Sequence, residues 1–529
     1  MGYADHTHAA MILASLAPAS PPPIWHLPAR CEEGDVNGLF QWGGRWHLMQ
    51  QWHARPASSI GHSVSTDLLR FARVADALRS GPAEDQQCFD GSSSITALGP
   101  MLMIDGGCGL FNASTGETPC MESRGQNSGG VTASPANLSD VNLTVWEKRG
   151  PTRFEDCGGA SGPSPIWRSQ ASGKHLMVAI AGDHAGDALF EATDETLTSW
   201  RRTQPALTPG RGGGGQLWHP LPRTKEGAPP HDPAYTHILQ VNRAGGGDGA
   251  PSFVLLRFDE AASTTTDLTA PTLLDSGSVR FGTLSNVGGT AAQADAPGDT
   301  RTIHVSWLTG ATDGTKSCGA SNIHSGQLTS LRDLRYDPRL GPHGMLVEAP
   351  IEEYLTLRTA AVAQQNTTVT PTTMRRRGVE DQDQAEAQSL LSFAAGAFAL
   401  DIELAVAMAT PGSLTVGVAC GWNDSFQWVC GAQFELQLLN ASAVALNGVQ
   451  YPLLPAEEGE PVPLRIMLDT RSVEAFAHDG RAAWSDGVSW ASCSAGDCDV
   501  SVLAATQAAN VSAIAFGLKS IWSGSAHIV

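Results

Sequence analysis

An all-β chain is predicted, a five-bladed β-propeller over residues 25–349 followed, after a linker at 350–390, by a β-sandwich over 391–529. Three observations predict it. Short apolar strand cores recur at intervals of roughly 55–75 residues, a spacing that marks repeated β units. Turn residues are abundant, with Gly 57 and Pro 32 in 529 residues, which favours short strands over long helices. After a polar break, short strands with turn signals resume over about 140 residues, the size of a sandwich domain.

Residues 1–24 read as an N-terminal extension or weak signal segment. Ala9-Ala10-Met11-Ile12-Leu13-Ala14-Ser15-Leu16-Ala17 is a marginal apolar core without a preceding Lys or Arg, and Pro21-Pro22-Pro23 is an extended spacer. Phe40-Gln41-Trp42, Gly43-Gly44 and Arg45-Trp46-His47-Leu48-Met49 form a hairpin signature, because two glycines supply the positive φ of a two-residue turn. Four further strand cores follow at Met101–Ile104, His175–Ile180, Thr236–Val241 and Ile303–Trp307. Each of the five units is long enough for a four-stranded sheet with its loops, the unit of a propeller blade. Pro350–Arg358 is a short connector and Gln364–Gln388 a polar loop. Strands resume at Ala399–Leu404 and Leu464–Leu468, and Val473–Ala477 turns at His478-Asp479-Gly480 into another.

Composition excludes several classes. A formal charge of −20 without a basic run offers no face to a polyanion, so nucleic acid is not a partner. No apolar stretch reaches the 18 or so residues that span a membrane. The ten cysteines hold no paired Cys-x-x-Cys ligand set, so neither zinc nor another metal is expected, and no organic cofactor. Cys420 with Cys430 and Cys493 with Cys498 are close enough in sequence for local disulfides. Seven Asn-x-Ser/Thr sequons, at Asn112, Asn137, Asn142, Asn366, Asn423, Asn440 and Asn510, point the same way: to a secreted, extracellular or vacuolar glycoprotein.

One motif carries chemistry. Gly34-Asp35-Val36-Asn37-Gly38 places a carboxylate and an amide on a tight turn at the mouth of a buried strand, although Asp, Asn and Gly favour turns whatever else they do. In order along the chain, Asp35-Val36-Asn37-Gly38-Leu39-Phe40 resembles the Asn-Asp-Pro-Asn-Gly box of glycoside hydrolase family 32, the invertases and fructan-active enzymes. His47-Leu48-Met49-Gln50-Gln51 is similar to its His-Leu-Phe-Tyr-Gln strand, and Gly61-His62-Ser63-Val64-Ser65 to its Gly-His-Ala-Val-Ser. Phe89-Asp90-Gly91-Ser92 resembles Phe-Ser-Gly-Ser, and Gln327–Leu334 the Leu-Pro-Arg-Glu-Leu segment. Pro135–Asp140 and Leu464–Gly480 are also similar to family segments. The resemblance implies the same propeller and sandwich.

It also implies roles. A retaining glycosidase needs a nucleophilic carboxylate and a second carboxyl about 5–5.5 Å away as acid, then base. The resemblance assigns the nucleophile to Asp35 and substrate contacts to Asn37, Gln51, Phe89, Asp90 and Asp156. Asp156, in Arg153-Phe154-Glu155-Asp156-Cys157, stands for the Asp of the family's Arg-Asp-Pro motif; an ungapped alternative puts Gly162 there. The acid position, a Glu in the family, reads as Gly214 or Gly215 within Gly210-Arg211-Gly212-Gly213-Gly214-Gly215-Gln216. His219 and Glu226 are the nearest groups that an inward-folding loop brings to it. The implied function is cleavage of sucrose or a fructan-type carbohydrate by a β-fructofuranosidase-like double displacement. The alternative is a carbohydrate-binding pseudoenzyme that kept the scaffold without its acid. An arabinan-cleaving propeller hydrolase explains the blades but not Leu464–Gly480.

Overall fold

The computed structural model describes residues 36–54, 57–79, 91–105, 130–154, 160–181, 187–203, 207, 217–226, 234–241, 252–266, 269–287, 301–308, 327–370, 388–393, 399–422, 428–470, 472–488 and 498–520. Nearly all of its regular structure is β. Successive antiparallel meanders fill the N-terminal part. The first holds β1 (Val36–Trp42), β2 (Arg45–Ala54) and β3 (Ala57–Ser65), with short edges β4 (Ala72–Arg73) and β5 (Leu78–Arg79). The second holds β6 (Gly91–Thr96), β7 (Gly99–Asp105), β8 (Gly130–Pro135) and β9 (Trp146–Phe154). In the third, β10 (Ala160–Ser161) and β11 (Trp167–Arg168) both pair with β12 (His175–Ala181), followed by β13 (Asp187–Ala192) and β14 (Ser199–Arg202). A short parallel pairing of β14 with β9 joins the second and third into one nine-stranded sheet.

The fourth meander contains β15 (Leu217–Pro220), β16 (His237–Val241), β17 (Ser252–Asp259), β18 (Thr264–Thr266) and β19 (Thr272–Leu273). The fifth contains β20 (Val279–Val287), β21 (Arg301–Leu308), β22 (Gln327–Leu328), β23 (Arg332–Asp337) and β24 (Met345–Pro350). All five strand cores expected from the sequence are strands: β2, β7, β16 and β21 are each the second of their meander, and β12 follows the two short edge strands β10 and β11. Their apolar runs follow from position, since a strand covered on both faces loses the polar alternation of a half-exposed one. The Gly43-Gly44 turn forms as expected, with φ of 56° and 76°.

Apolar clusters sit between consecutive meanders. Phe40, Met49 and Ile60 meet Leu102, Ile104 and Val131 between the first and second. Met101 and Met103 meet Met177 and Phe190 between second and third, and Val178 and Leu189 meet Leu239 and Val254 between third and fourth. Ile238 and Phe253 share a cluster with Leu334 and Tyr336 of the fifth. The fifth then packs back on the first, through Ile303 and Val305 against Val36, Leu39 and Leu48. Burying one such Leu, Ile or Phe stabilises the fold by about 1.5–3 kcal/mol. The alternation along β2 is therefore strict: Leu48 faces the fifth meander and Met49 the second.

A 3-10 helix at Glu352–Leu357, with Tyr354 and Leu357 buried, leads into two facing sheets. One orders β25 (Arg358–Val369), β36 (Ala509–Leu518), β27 (Leu400–Met408), β32 (Val462–Leu468), β33 (Ser472–Ala477) and β34 (Ala482–Gly487). The other orders β26 (Gln388–Phe393), β35 (Cys498–Ala505), β28 (Gly412–Trp422), β29 (Trp428–Asn440), β30 (Ala443–Leu446) and β31 (Val449–Pro452). Ile402, Leu404 and Val406 of one meet Val416, Val418 and Leu436 of the other. The Cys420–Cys430 disulfide forms across β28 and β29; Cys493 lies outside the described residues. One local expectation is corrected. Gln364–Val369 is not loop but the end of β25, paired along β36 from Gln364↔Ile514 to Val369↔Ala509. Its polar residues are the exposed face of a sheet edge, which composition alone does not distinguish from a loop.

Candidate active site

The Asn37-Gly38 step is in a strand, not in the tight turn its residues favour. In β1, Val36 pairs with Gln50 and Gly38 with Met49, so Asn37 is an extra residue, a β-bulge. Bulges re-aim a side chain, and they recur beside active sites. Asn37 is 1% exposed, set into the molecule where a plain strand would place an apolar group. Gly38 makes the close packing possible. Its φ is +153°, and a Cβ there would lie 1.7 Å from Ser93 Oγ of β6. Only glycine fits both requirements. Asp35, one residue before β1, lies outside the described residues.

Gln51 of β2 is also 1% exposed. On the same strand, His47 Nδ1 lies 2.9 Å from His62 Nε2 of β3, and the rings stack with centroids 5.1 Å apart. Phe40 closes His47 from one side and the edge of Trp146 meets His62 from the other. Burial holds both imidazoles far below their ordinary value, His47 to about 4 and His62 to about 3. Both are neutral near pH 7, so the pair shares a single proton along its contact. Nothing in the sequence marked this pair beyond its place in two family-like strands.

The motif Gly91-Ser92-Ser93-Ser94 builds an inner polar strand. Ser92 Oγ donates to Ser164 O (2.8 Å), Ile166 N donates to Ser94 Oγ (2.6 Å), and Val178 N donates to Ser164 Oγ (2.9 Å). These bonds tie β6 to the segment before β11. Gly162, the alternative to Asp156, is buried with a φ of +56°. Phe89, Asp90 and Asp156 lie outside the described residues, so of the six expected site residues only Asn37 and Gln51 are described, both buried on the neighbouring strands β1 and β2.

The glycine-rich run at 210–216 also lies outside them, but the two stand-ins for its missing acid do not. His219 of β15 is 3% exposed, its Nδ1 donates to Pro220 O (2.9 Å), and burial lowers it to about 4. With that value the ring is neutral at pH 7, its one N–H committed to Pro220 O, and is not an imidazolium acid. Glu226 is exposed beyond the far end of β15, beside Lys225, whose ammonium reaches Asp479 of the sandwich (3.3 Å). Among the described residues no group of three or more His, Cys, Asp or Glu side chains is placed to hold a metal ion.

A sequence profile of the glycosyl hydrolases family 32 N-terminal domain matches residues 33–350. The chain belongs to glycoside hydrolase family 32. A levanase of Bacillus sp. (strain L7) is 25% identical to this family-32 chain over 491 residues, which cover 88% of it. The chain spans about half of that relative, 48% of its length. Among solved structures, fructan 1-exohydrolase IIa of Cichorium intybus superposes with a TM-score of 0.67 at 16% identity, covering 95% of this chain and 98% of that one. The β-fructofuranosidase of Bombyx mori does so at 0.63 and 16%, covering 97% of each. At such identity the likeness concerns the fold, a β-propeller joined to a β-sandwich.

The strongest electrostatic feature of this family-32 chain was not foreseen. Arg332, in the Leu331-Arg332-Asp333-Leu334 segment, is fully buried where the two parts meet. Its guanidinium donates to Asp275 (2.8 Å) and Glu348 (2.6 Å) on its own side, and to Glu474 (2.6 Å) and Ser485 (2.5 Å) of the sandwich. Ser330 adds bonds to Glu474 from its N (2.7 Å) and Oγ (2.8 Å). Burial opposes charge on Glu348, but Arg332 and His304 outweigh it and hold that carboxyl low. On Asp275 burial wins over Arg332, and its pKa is raised.

Proposed function

We propose that this chain is a β-fructofuranosidase-like glycoside hydrolase on a five-bladed propeller, acting on sucrose or a fructan by retaining double displacement. The observation that carries the reading is the family match over residues 33–350 together with the bulged strand that buries Asn37 two residues from Asp35. Five meanders packed in sequence, with the fifth against the first, support the blade count. In the proposed reaction the Asp35 carboxylate attacks the anomeric carbon of a fructosyl unit, and the bond to the leaving oxygen breaks as that oxygen takes up a proton. Water then cleaves the fructosyl-enzyme ester and restores Asp35. Asn37 and Gln51 hold the sugar hydroxyls or orient the carboxylate, with Phe89, Asp90 and Asp156 as further substrate contacts. The secreted or vacuolar location belongs to the same reading.

A second reading is supported by the sequence, where Gly214 or Gly215 aligns with the family's acid position, and by the burial of neutral His219 and the exposure of Glu226. A positioned general acid is worth about 10²–10⁴ in rate. A chain without one binds sugars and turns them over slowly. Incubation with sucrose, inulin and levan separates the two. The hydrolase releases fructose, and Asp35→Asn abolishes release while sugar binding by calorimetry survives. Wild type and Asp35→Asn that release equally little, yet bind sugar, establish the binding protein instead.

A further inference from the structure

Five large apolar side chains are strongly exposed among the described residues, and three share one loop: Leu138 at 45%, Val141 at 40% and Val145 at 59%. The loop joins β8 to β9 and is held rigidly. Ala136 N donates to Val145 O (2.9 Å), and the Asp140 carboxylate accepts Asn142 N (2.9 Å), Thr144 N (2.8 Å) and Thr144 Oγ1 (2.6 Å). Two hairpin turns lie against it. Trp42 Nε1 donates to Leu138 O (3.3 Å), a Cβ on Gly43 would touch Val141, and one on Gly99 would touch Leu138. The result is a fixed apolar patch where the β1–β2 turn, the β6–β7 turn and this loop meet. Exposed apolar side chains grouped on one loop, unlike those scattered singly, call for an explanation.

The loop also carries two of the seven sequons, Asn137-Leu138-Ser139 and Asn142-Leu143-Thr144, which bracket the patch. Asn137 is exposed and Asn142 half-buried. Asn137 Oδ1 accepts Ser139 N (2.9 Å), an Asx turn that keeps the side chain on the loop's surface. We infer that the patch is covered by an N-linked glycan, with Asn137 the main acceptor and Asn142 the second. The bond formed joins Asn137 Nδ2 to the anomeric carbon of an oligosaccharide. The bond broken links that carbon to a lipid diphosphate, which leaves, and the amide gives up one proton. The inner sugar rings would then lie over Leu138, Val141 and Val145.

The location suits the chain's proposed work. The patch is at the turn end of β1, where Trp42 is six residues from Val36; at about 3.3 Å per residue that is about 20 Å from the bulged end. A glycan there leaves the candidate site open. The inference requires the secretory route but not catalytic activity, so it stands or falls apart from the fructosidase reading.

The test exports the full chain from a eukaryotic host behind a secretion signal. Intact mass and peptide mapping after enzymatic glycan release in heavy-oxygen water, which labels each released Asn, report occupancy. Asn137 should be labelled, and Asn137→Gln should lose one glycan mass. The Asn137→Gln/Asn142→Gln pair should gain binding of an apolar fluorescent dye and self-associate, with fructose release unchanged. Asn440→Gln, at an exposed sequon in the β29–β30 turn, should lose its glycan without gaining dye binding. Endoglycosidase treatment of the folded wild type gives the same readout if the double variant folds poorly. A secreted chain unmodified at both asparagines overturns the inference. So does dye binding that stays the same after deglycosylation, or a protein rather than a glycan found seated on the patch.

Discussion

Two buried polar clusters solve the same physical problem in opposite ways. Where propeller and sandwich meet, Arg332 gathers Asp275, Glu348 and Glu474, and His304 and Ser485 complete the set. Between the first two meanders, His47 and His62 sit together and stay neutral, because burial outweighs the attraction of Asp140. The first cluster keeps its charges by pairing them; the second avoids charge by staying deprotonated. Loss of one partner is therefore severe in the first, and acid is the threat to the second.

The largest effect should come from Arg332→Met. It strands three buried carboxylates, and breaking a buried ion pair in this way costs about 3–5 kcal/mol. Urea or thermal unfolding should show that loss, with the sandwich transition separating from that of the N-terminal part. Adding Asp275→Asn, Glu348→Gln and Glu474→Gln should restore much of it. If Arg332→Met alone is neutral, the interface is not held by charge.

Acid tests the second cluster. His47, His62, His219, His237 and His478 have folded values of about 4, 3, 4, 3 and 4, each lowered first of all by burial. Because these lie below the unfolded value near 6.5, the unfolded chain binds more protons. Stability is complete above pH 6.5 and falls as pH drops through 4, at about 1.4 kcal/mol per pH unit for each histidine that the unfolded chain protonates and the fold does not. Melting curves between pH 7.5 and 4 should show the decline, and His62→Leu should flatten it. A melting temperature independent of pH over that range contradicts the neutral pair.

Gly38→Ala should cost about 1–3 kcal/mol through backbone strain at positive φ. Because the substituent meets Ser93, the proposed fructose release should fall as well. Last comes the exposed pair Arg70–Asp67 (2.7 Å). Arg70→Ala should change stability by less than about 0.5 kcal/mol. An effect rivalling Arg332→Met would mean that burial is not what distinguishes the interface cluster.

Much of the fold was legible because it follows from local pattern. The Gly43-Gly44 turn, the doubly covered strand cores and the His478-Asp479-Gly480 turn, with φ of 44°, 54° and 89°, each obey short-range rules. The candidate site was legible only as an ordered series of motifs. Their residues suggested a turn at Asn37, because Asp-x-Asn-Gly is equally good turn chemistry; long-range pairing with Gln50 and Met49 made it a bulge instead. The polar run from Gln364 likewise read as loop until β36 was there to pair with it.

By itself the sequence determined the all-β class, the repeat of apolar strand cores and the position of Asp35 in a family-32 motif, since these depend on residue order and on spacing along the chain. Only the tertiary structure decided which charges are buried together. Arg332 and Glu474 are 142 residues apart, and Ser485 and Asp275 are 210 apart. Nothing local distinguishes a buried Glu474 from an exposed one. What assigns it to the interior is the docking of the sandwich on β23 and β24, where the His478–Gly480 turn brings its backbone against Glu348 (Glu348 N to Gly480 O, 2.8 Å).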